Sequence, residues 1–223
     1  MIQLIKRDLL LNKWAGLVIV VILLPLAYIS INLPITTLLM LVIIPMVSSL
    51  FYADDKSHSM RSVIAMPVAK AVIVRSRYAY GMLIVIVAML YQWLIGHVIV
   101  HMLELTGHDY FVYDWKDMTT IVCLGAIVVA ICIPLYHLMS NFYAATIVLI
   151  CIMYVLWFTS LDPLVTVTGM QDHIFFNDID RGYTLLVEKY LPFPPYLFLA
   201  LGAAFLFFLS MKLSEYVFLK RDH

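Results

Sequence analysis

Residues 14–53 read WAGLVIVVILLPLAYISINLPITTLLMLVIIPMVSSLFYA, 40 residues without one Asp, Glu, Lys or Arg. At about 1.5 Å per residue a single helix of that length measures roughly 60 Å, twice a hydrocarbon core of about 30 Å, so the run has to be a hairpin of two spanning helices. The same holds for Met118–Leu161, 44 residues with no such charge. Shorter charge-free windows at Tyr78–Leu103 and Tyr190–Met211 each suffice for one tilted helix. Dividing the hairpins at Asn32-Leu33-Pro34 and Ser140-Asn141, where turn formers interrupt the apolar pattern, predicts six spans, near 15–32, 35–52, 79–103, 119–139, 142–160 and 196–217.

Composition agrees. With 64% hydrophobic and 13% charged residues, the 223-residue chain carries about half the charge that a water-soluble surface needs. A mean hydropathy of +0.99 places it among all-α integral membrane proteins, with residues 1–223 read as one transmembrane domain. The apolar stretch after the N-terminus is long, contains Pro25 and lacks an A-x-A cleavage site, so it reads as an uncleaved first span. Zero formal net charge gives no case for a nucleic-acid partner. Cys123, Cys132 and Cys151 lie inside apolar runs with no CxxC spacing and read as small buried hydrophobes.

The distribution of charge sets the orientation. Lys6, Arg7, Lys13, Lys56, Arg61, Lys70, Arg75, Arg77, Lys212, Lys220 and Arg221, which are 11 of the 14 basic residues, fall on one side of the six-span layout. Only Lys116, Arg181 and Lys189 fall on the other. Cytoplasmic loops are enriched in Lys and Arg, so both termini and the 53–78 segment are expected in the cytoplasm.

Outside the spans, residues 1–13 place Ile2, Leu4, Ile5, Leu9 and Leu10 beside Lys6 and Arg7, the pattern of an interfacial helix. In the 53–78 segment, Asp54 and Asp55 are suited to cap a helix in which Met60, Val63 and Ile64 share a face. Pro67 ends that helix and starts another that carries Lys70, Arg75 and Arg77 toward the third span. A small apolar patch there needs a partner or the membrane. Residues 161–195 are too long for a structureless connection and are expected to form short helices over the outer mouth. Pro25, Pro45 and Pro134 are expected to kink their spans. The patch Ala200, Gly202, Ala203 and Ala204 is expected to make a folding contact.

Catalytic signatures are sparse. His97, His101, Glu104 and His108 are spaced 4, 3 and 4 apart and fall within about 60° of one another on a continuous helix. Transition metals accept such ligands, but HExxH is absent and polar residues emerging at the outer interface explain the pattern, so no metal, catalytic residue or cofactor is assigned. Asp54-Asp55 has no second acidic cluster to complete a magnesium site, and no Glu-Glu pair exists. No Gly-Lys dipeptide occurs anywhere, so the chain lacks the G-x-x-x-x-G-K-[ST] phosphate loop. The most notable polar groups of the first five spans are Gln92, His97 and His137, a poor relay for ion coupling.

Phe51-Tyr52-Ala53-Asp54-Asp55-Lys56, then Met66-Pro67-Val68-Ala69-Lys70, then Val74-Arg75-Ser76-Arg77-Tyr78, resembles the segment after the second span in short permeases of the type-2 ABC exporter superfamily. Within it the chain is similar to the small permease subunits of bacterial exporters for amphipathic peptides, such as those for phenol-soluble modulins and for lantibiotic self-protection. The resemblance implies a multi-pass protein of the bacterial cell membrane, with residues 1–13 as an elbow helix and a coupling helix at 57–66 seated on an ABC-type ATP-binding subunit. It also implies a second permease, identical or related, with ATP and magnesium on the partner subunit and an amphipathic peptide or other hydrophobic molecule as cargo. The expected contact is Met60, Val63, Ile64, Met66 and Pro67, rimmed by Asp55, Lys56, Arg61 and Lys70, since a few packed apolar anchors ringed by charge make a strong interface. Two other readings compete with export. One is a non-transporting immunity or regulatory protein; the other is a membrane enzyme using the outer His cluster.

Overall fold

The computed structural model describes residues 2–11, 38–57, 69–104, 113–139, 141–169 and 176–220. Among them the elements are helices and no strand occurs. The helices are α1 (Ile2–Leu11), α2 (Ile44–Ser57, entered through a π-helical turn at Leu38–Ile43), α3 (Lys70–Glu104), α4 (Trp115–Leu138), α5 (Phe142–Thr168), α6 (Phe176–Tyr190) and α7 (Pro195–Lys220). Five are long and apolar enough to cross a membrane: α2 with its π turn, α3, α4, α5 and α7. They correspond to the spans predicted from 35–52 onward. The span predicted at 15–32 lies outside the described residues.

Several predicted boundaries shift for identifiable reasons. α2 continues through Asp54 and Asp55 to Ser57, so these aspartates do not cap a following helix. Asp54 instead turns inward to an arginine of α3, and nothing in FYADDKS breaks a helix. α3 begins at Lys70 rather than 79 and runs for 35 residues, about 52 Å. With no Gly or Pro between Val68 and Tyr80 to interrupt it, the helix expected to lead into the third span is the same helix as the span. α5 passes the expected stop at 160, accommodates Pro163, and ends at Gly169, whose φ of 70° is the left-handed conformation that glycine adopts without penalty. Pro45 has no N–H for the carbonyl four residues back, and the widened turn at Leu38–Ile43 lies just before it. α4 starts with a reciprocal capping box, the Asp114 and Asp117 carboxylates each accepting from the other end's backbone N–H.

α4 is the central helix, touching α2, α3, α5, α6 and α7. It runs antiparallel to α3, with Gly81 of α3 against Val129 and Gly125 of α4 against Val85 and Ile43. A Cβ added at either glycine would lie 2.7 Å from a valine methyl. Small residues let the two backbones approach this closely, which is how spanning helices gain packing where water supplies no hydrophobic drive. Val85, Val129, Ile43, Cys132 and Ile133 fill the seam and are buried.

α5 and α7 turn most of their large side chains outward, among them Tyr143, Ile147 and Ile150 on α5 and Phe205, Phe208 and Leu209 on α7. The small-residue patch of α7 makes less contact than expected. Ala203 is buried, but Gly202 is exposed with no neighbour near its Cβ position. Cys151 is exposed on α5, unlike the buried Cys123 and Cys132.

The bundle has two distinct ends. The C-termini of α2, α4 and α7 meet the N-termini of α3 and α5 at one, where α1 also packs; we call this the charged end. At the far end, α6 covers the start of α4 and the end of α5, with Gly182 against Leu164. Helices thus occupy much of the 161–195 segment.

Candidate functional site

The charged end is organised around two buried carboxylates and two arginines. Arg77, the eighth residue of α3, is 3% exposed and pairs with Asp54 in the last turn of α2, which is itself buried. The Arg77 guanidinium also lies over the Phe51 ring, 4.5 Å from its centre. From α1, Arg7 approaches the other Asp54 oxygen at 3.7 Å and donates to Asp8 at 2.7 and 2.9 Å. Asp8 is fully buried, and among the described residues its Oδ2 receives no hydrogen bond. Burial pushes the Asp8 carboxyl above its ordinary range, outweighing the pull of the Arg7 hydrogen bond and charge.

An aromatic and hydroxyl layer extends this cluster into the other helices. Phe51 stacks on Tyr136 at 4.6 Å, and His137 meets Phe51 and Phe218 edge to face. The Tyr136 hydroxyl donates to Ser48 at 2.8 Å and bonds Thr146 of α5 at 3.1 Å. Between α3 and α7, Arg75 donates to Glu215 at 2.6 Å. The Tyr78 hydroxyl bonds Ser210 and Ser214 at 2.7 and 2.8 Å. The layer therefore ties α1, α2, α3, α4, α5 and α7 together at one level.

Toward the far end, an apolar cavity of about 410 Å³ opens between the start of α2 and the middle of α5, lined by Met40, Ile44, Ile150, Met153, Tyr154 and Trp157. At the far end itself, Thr184 of α6 donates to Asp117 at 2.5 Å, and Glu188 accepts from Lys116 at 2.6 Å and from Tyr196 at 3.0 Å. Those two hydrogen bonds hold the Glu188 carboxyl below its ordinary range.

A family profile described as ABC-2 family transporter protein matches residues 3–219, almost the whole chain. The chain belongs to the ABC-2 transporter family. No curated protein matches it. The family makes the chain a membrane component of a transporter and its apolar helices the spans of a multi-pass membrane protein.

Within this transporter, the expected partner contact is described only at its two edges. Asp55 and Lys56 are exposed in the last turn of α2, with the Lys56 ammonium 3.2 Å from the Tyr52 hydroxyl, and Lys70 begins α3 half-buried. Met60, Arg61, Val63, Ile64, Met66 and Pro67 lie outside the described residues. The structure adds Arg7, Asp54, Arg75 and Arg77, which sequence reasoning used for orientation, capping or the family resemblance, and Asp8 and Glu215, to which it gave no role. One signal for them was present, since Lys212 and Glu215 are charges placed inside or beside an otherwise apolar last span, a position that usually demands a partner. Of the polar groups noted in the spans, Gln92 and His137 are buried while His97 is exposed. Among the described residues no group of three or more His, Cys, Asp or Glu side chains is arranged to hold a metal ion.

Proposed function

We propose that this chain is the permease subunit of an ATP-driven exporter in a bacterial cell membrane, with ATP and magnesium bound by a separate ABC-type subunit. A second permease, identical or related, completes the path, and the cargo is an amphipathic or hydrophobic peptide. The observation that carries the reading is the joint between Asp54 and Arg77. It closes the base of the 53–78 segment, so that a force applied there by an attached motor moves α2 and α3 as one piece. A buried pair in that position resists separation because either charge left alone is costly. Arg7 and Asp8 join α1 to the same base, in keeping with an elbow helix at the cytoplasmic face.

The missing phosphate loop leaves a partner subunit or an ion gradient as the energy source, the lack of a charged relay in the first five spans favours the partner, and the apolar cavity between α2 and α5 suits a flexible apolar cargo. Its two methionines and two aromatic rings adapt to varied side chains. Co-purification from the native membrane tests the assembly: an ATP-binding protein should accompany the chain in near-equal amount. Ile64→Asp, which puts a charge in the expected contact, should insert normally yet abolish export and leave ATP hydrolysis unresponsive to cargo. Normal export by that variant would defeat the proposal.

A further inference from the structure

His97 and His101 take no part in either end's polar layer, yet both are exposed on α3, one turn apart. Side chains at i and i+4 stand about 5–6 Å apart at Cβ on the same face. That is the spacing by which paired helical histidines grip a zinc-class ion, with metal–nitrogen bonds of about 2.0–2.1 Å. The orientation of His97 is already set. Its Nδ1 lies 3.0 Å from the Trp93 carbonyl oxygen, and because a carbonyl only accepts, Nδ1 carries the proton, which in the neutral imidazole puts the free lone pair on Nε2. A backbone carbonyl behind the ring is the support that metal-binding histidines commonly have. The Trp93 ring, 4.6 Å away, packs against the imidazole and restricts its rotation.

We propose that His97 and His101 form a chelating pair for a borderline divalent transition-metal ion, zinc or copper, near the far end of α3. Imidazole nitrogen suits these ions, whereas magnesium and calcium prefer oxygen ligands. The remaining coordination positions stay open to water. The site is independent of the export reading, since it uses neither the 53–78 segment nor the cavity.

The test is a titration of the purified transporter, freed of metal by a chelator, with zinc and with copper. Saturable binding of one equivalent is expected, weakened about tenfold or more by His97→Ala or His101→Ala, within the range that loss of metal-site groups produces. Copper should also quench a saturable part of the tryptophan emission, and Trp93→Phe should remove that part. His97→Gln retains a side-chain donor for the Trp93 carbonyl while losing the imidazole, so weak binding by a variant with unaltered thermal unfolding places the loss in the site. Binding that is absent from the wild type, or unchanged when both histidines are replaced, would overturn the assignment.

Discussion

Replacing Arg77 with methionine removes a guanidinium that is 3% exposed and takes from the buried Asp54 carboxylate its nearest cation, leaving the Arg7 guanidinium at 3.7 Å. Breaking a buried pair from one side costs about 3–5 kcal/mol, most of it the penalty of the stranded charge. Methionine keeps apolar contact with Phe51 but loses the cation over its ring, which adds on the order of 1 kcal/mol. For a chain of this size each kcal/mol moves the melting temperature by about 2–4 °C, so a total of about 4–6 kcal/mol should make Arg77→Met unfold roughly 8–24 °C below wild type in detergent. The same logic gives the opposite result for Asp54→Leu combined with Arg77→Met. With both charges gone, an apolar joint of similar volume is about as stable as the original. The double variant should therefore regain most of the lost stability, a coupling of several kcal/mol in the thermodynamic cycle. If Arg77→Met melts within about 2 °C of wild type, or if the two substitutions simply add, the joint does not bear the energy assigned to it.

The glycine seam should discriminate sharply between two positions. Gly125→Ala places a methyl 2.7 Å from Val85 and should cost about 1–3 kcal/mol. Gly202→Ala, with open space at its Cβ, should be neutral or gain up to about 1 kcal/mol from helix propensity; thermal unfolding of the two variants reads the difference. The two ends should respond oppositely to acid. Glu188 is held below its ordinary value of 4.5, so its contribution is present above that pH and is lost as the pH falls through the lowered folded value; Glu188→Gln should flatten that loss. Asp8 is raised above 3.8, so its contribution is full below 3.8 and is lost as the pH rises through the raised value. Asp8→Asn should accordingly cost little at neutral pH and abolish that part of the acid response, both measured as melting temperature against pH.

Five of the six expected spans were legible because lipid imposes a simple rule on sequence: long uncharged runs have few alternatives to spanning helices. Where helices end was less legible. Asp54-Asp55 is a good capping pair in isolation, but a partner 23 residues away decided otherwise, and no local pattern reports on Arg77. The fifth span is likewise expected from sequence to end at 160, while Leu164, buried against Gly182 of α6, lies on the same helix beyond Pro163. The basic residues of the 53–78 segment were recognised as a count that fixes orientation. Their pairing depends on which helix faces which, and an apolar pattern on all sides of α3 carries little information about facing. The heart of the expected contact, Met60 to Pro67, was proposed from sequence and lies outside the described residues.

The helices are not held equally, and the difference has a physical basis. α7 is fixed to α3 by the Arg75–Glu215 pair and two Tyr78 hydroxyl bonds, and to α4 through the Ser210 hydroxyl on the Ala130 carbonyl at 2.5 Å. Sliding it would break all four together. Along its spanning part α5 buries only Ala145, Leu149 and Met153, and its ties sit at its ends, a hydrogen bond of Thr146 with Tyr136 at one and Gly182 packed on Leu164 at the other. Few buried side chains and anchors confined to the ends oppose rotation and tilt weakly, because the apolar contacts exchange readily for lipid. Among the described spans, the comparison with α7 makes α5 the more easily displaced, and α5 supplies Ile150, Met153, Tyr154 and Trp157 to the apolar cavity. Among the described residues the cavity therefore has the weakly tied α5 as one wall, facing a wall that the Asp54–Arg77 joint ties to α3.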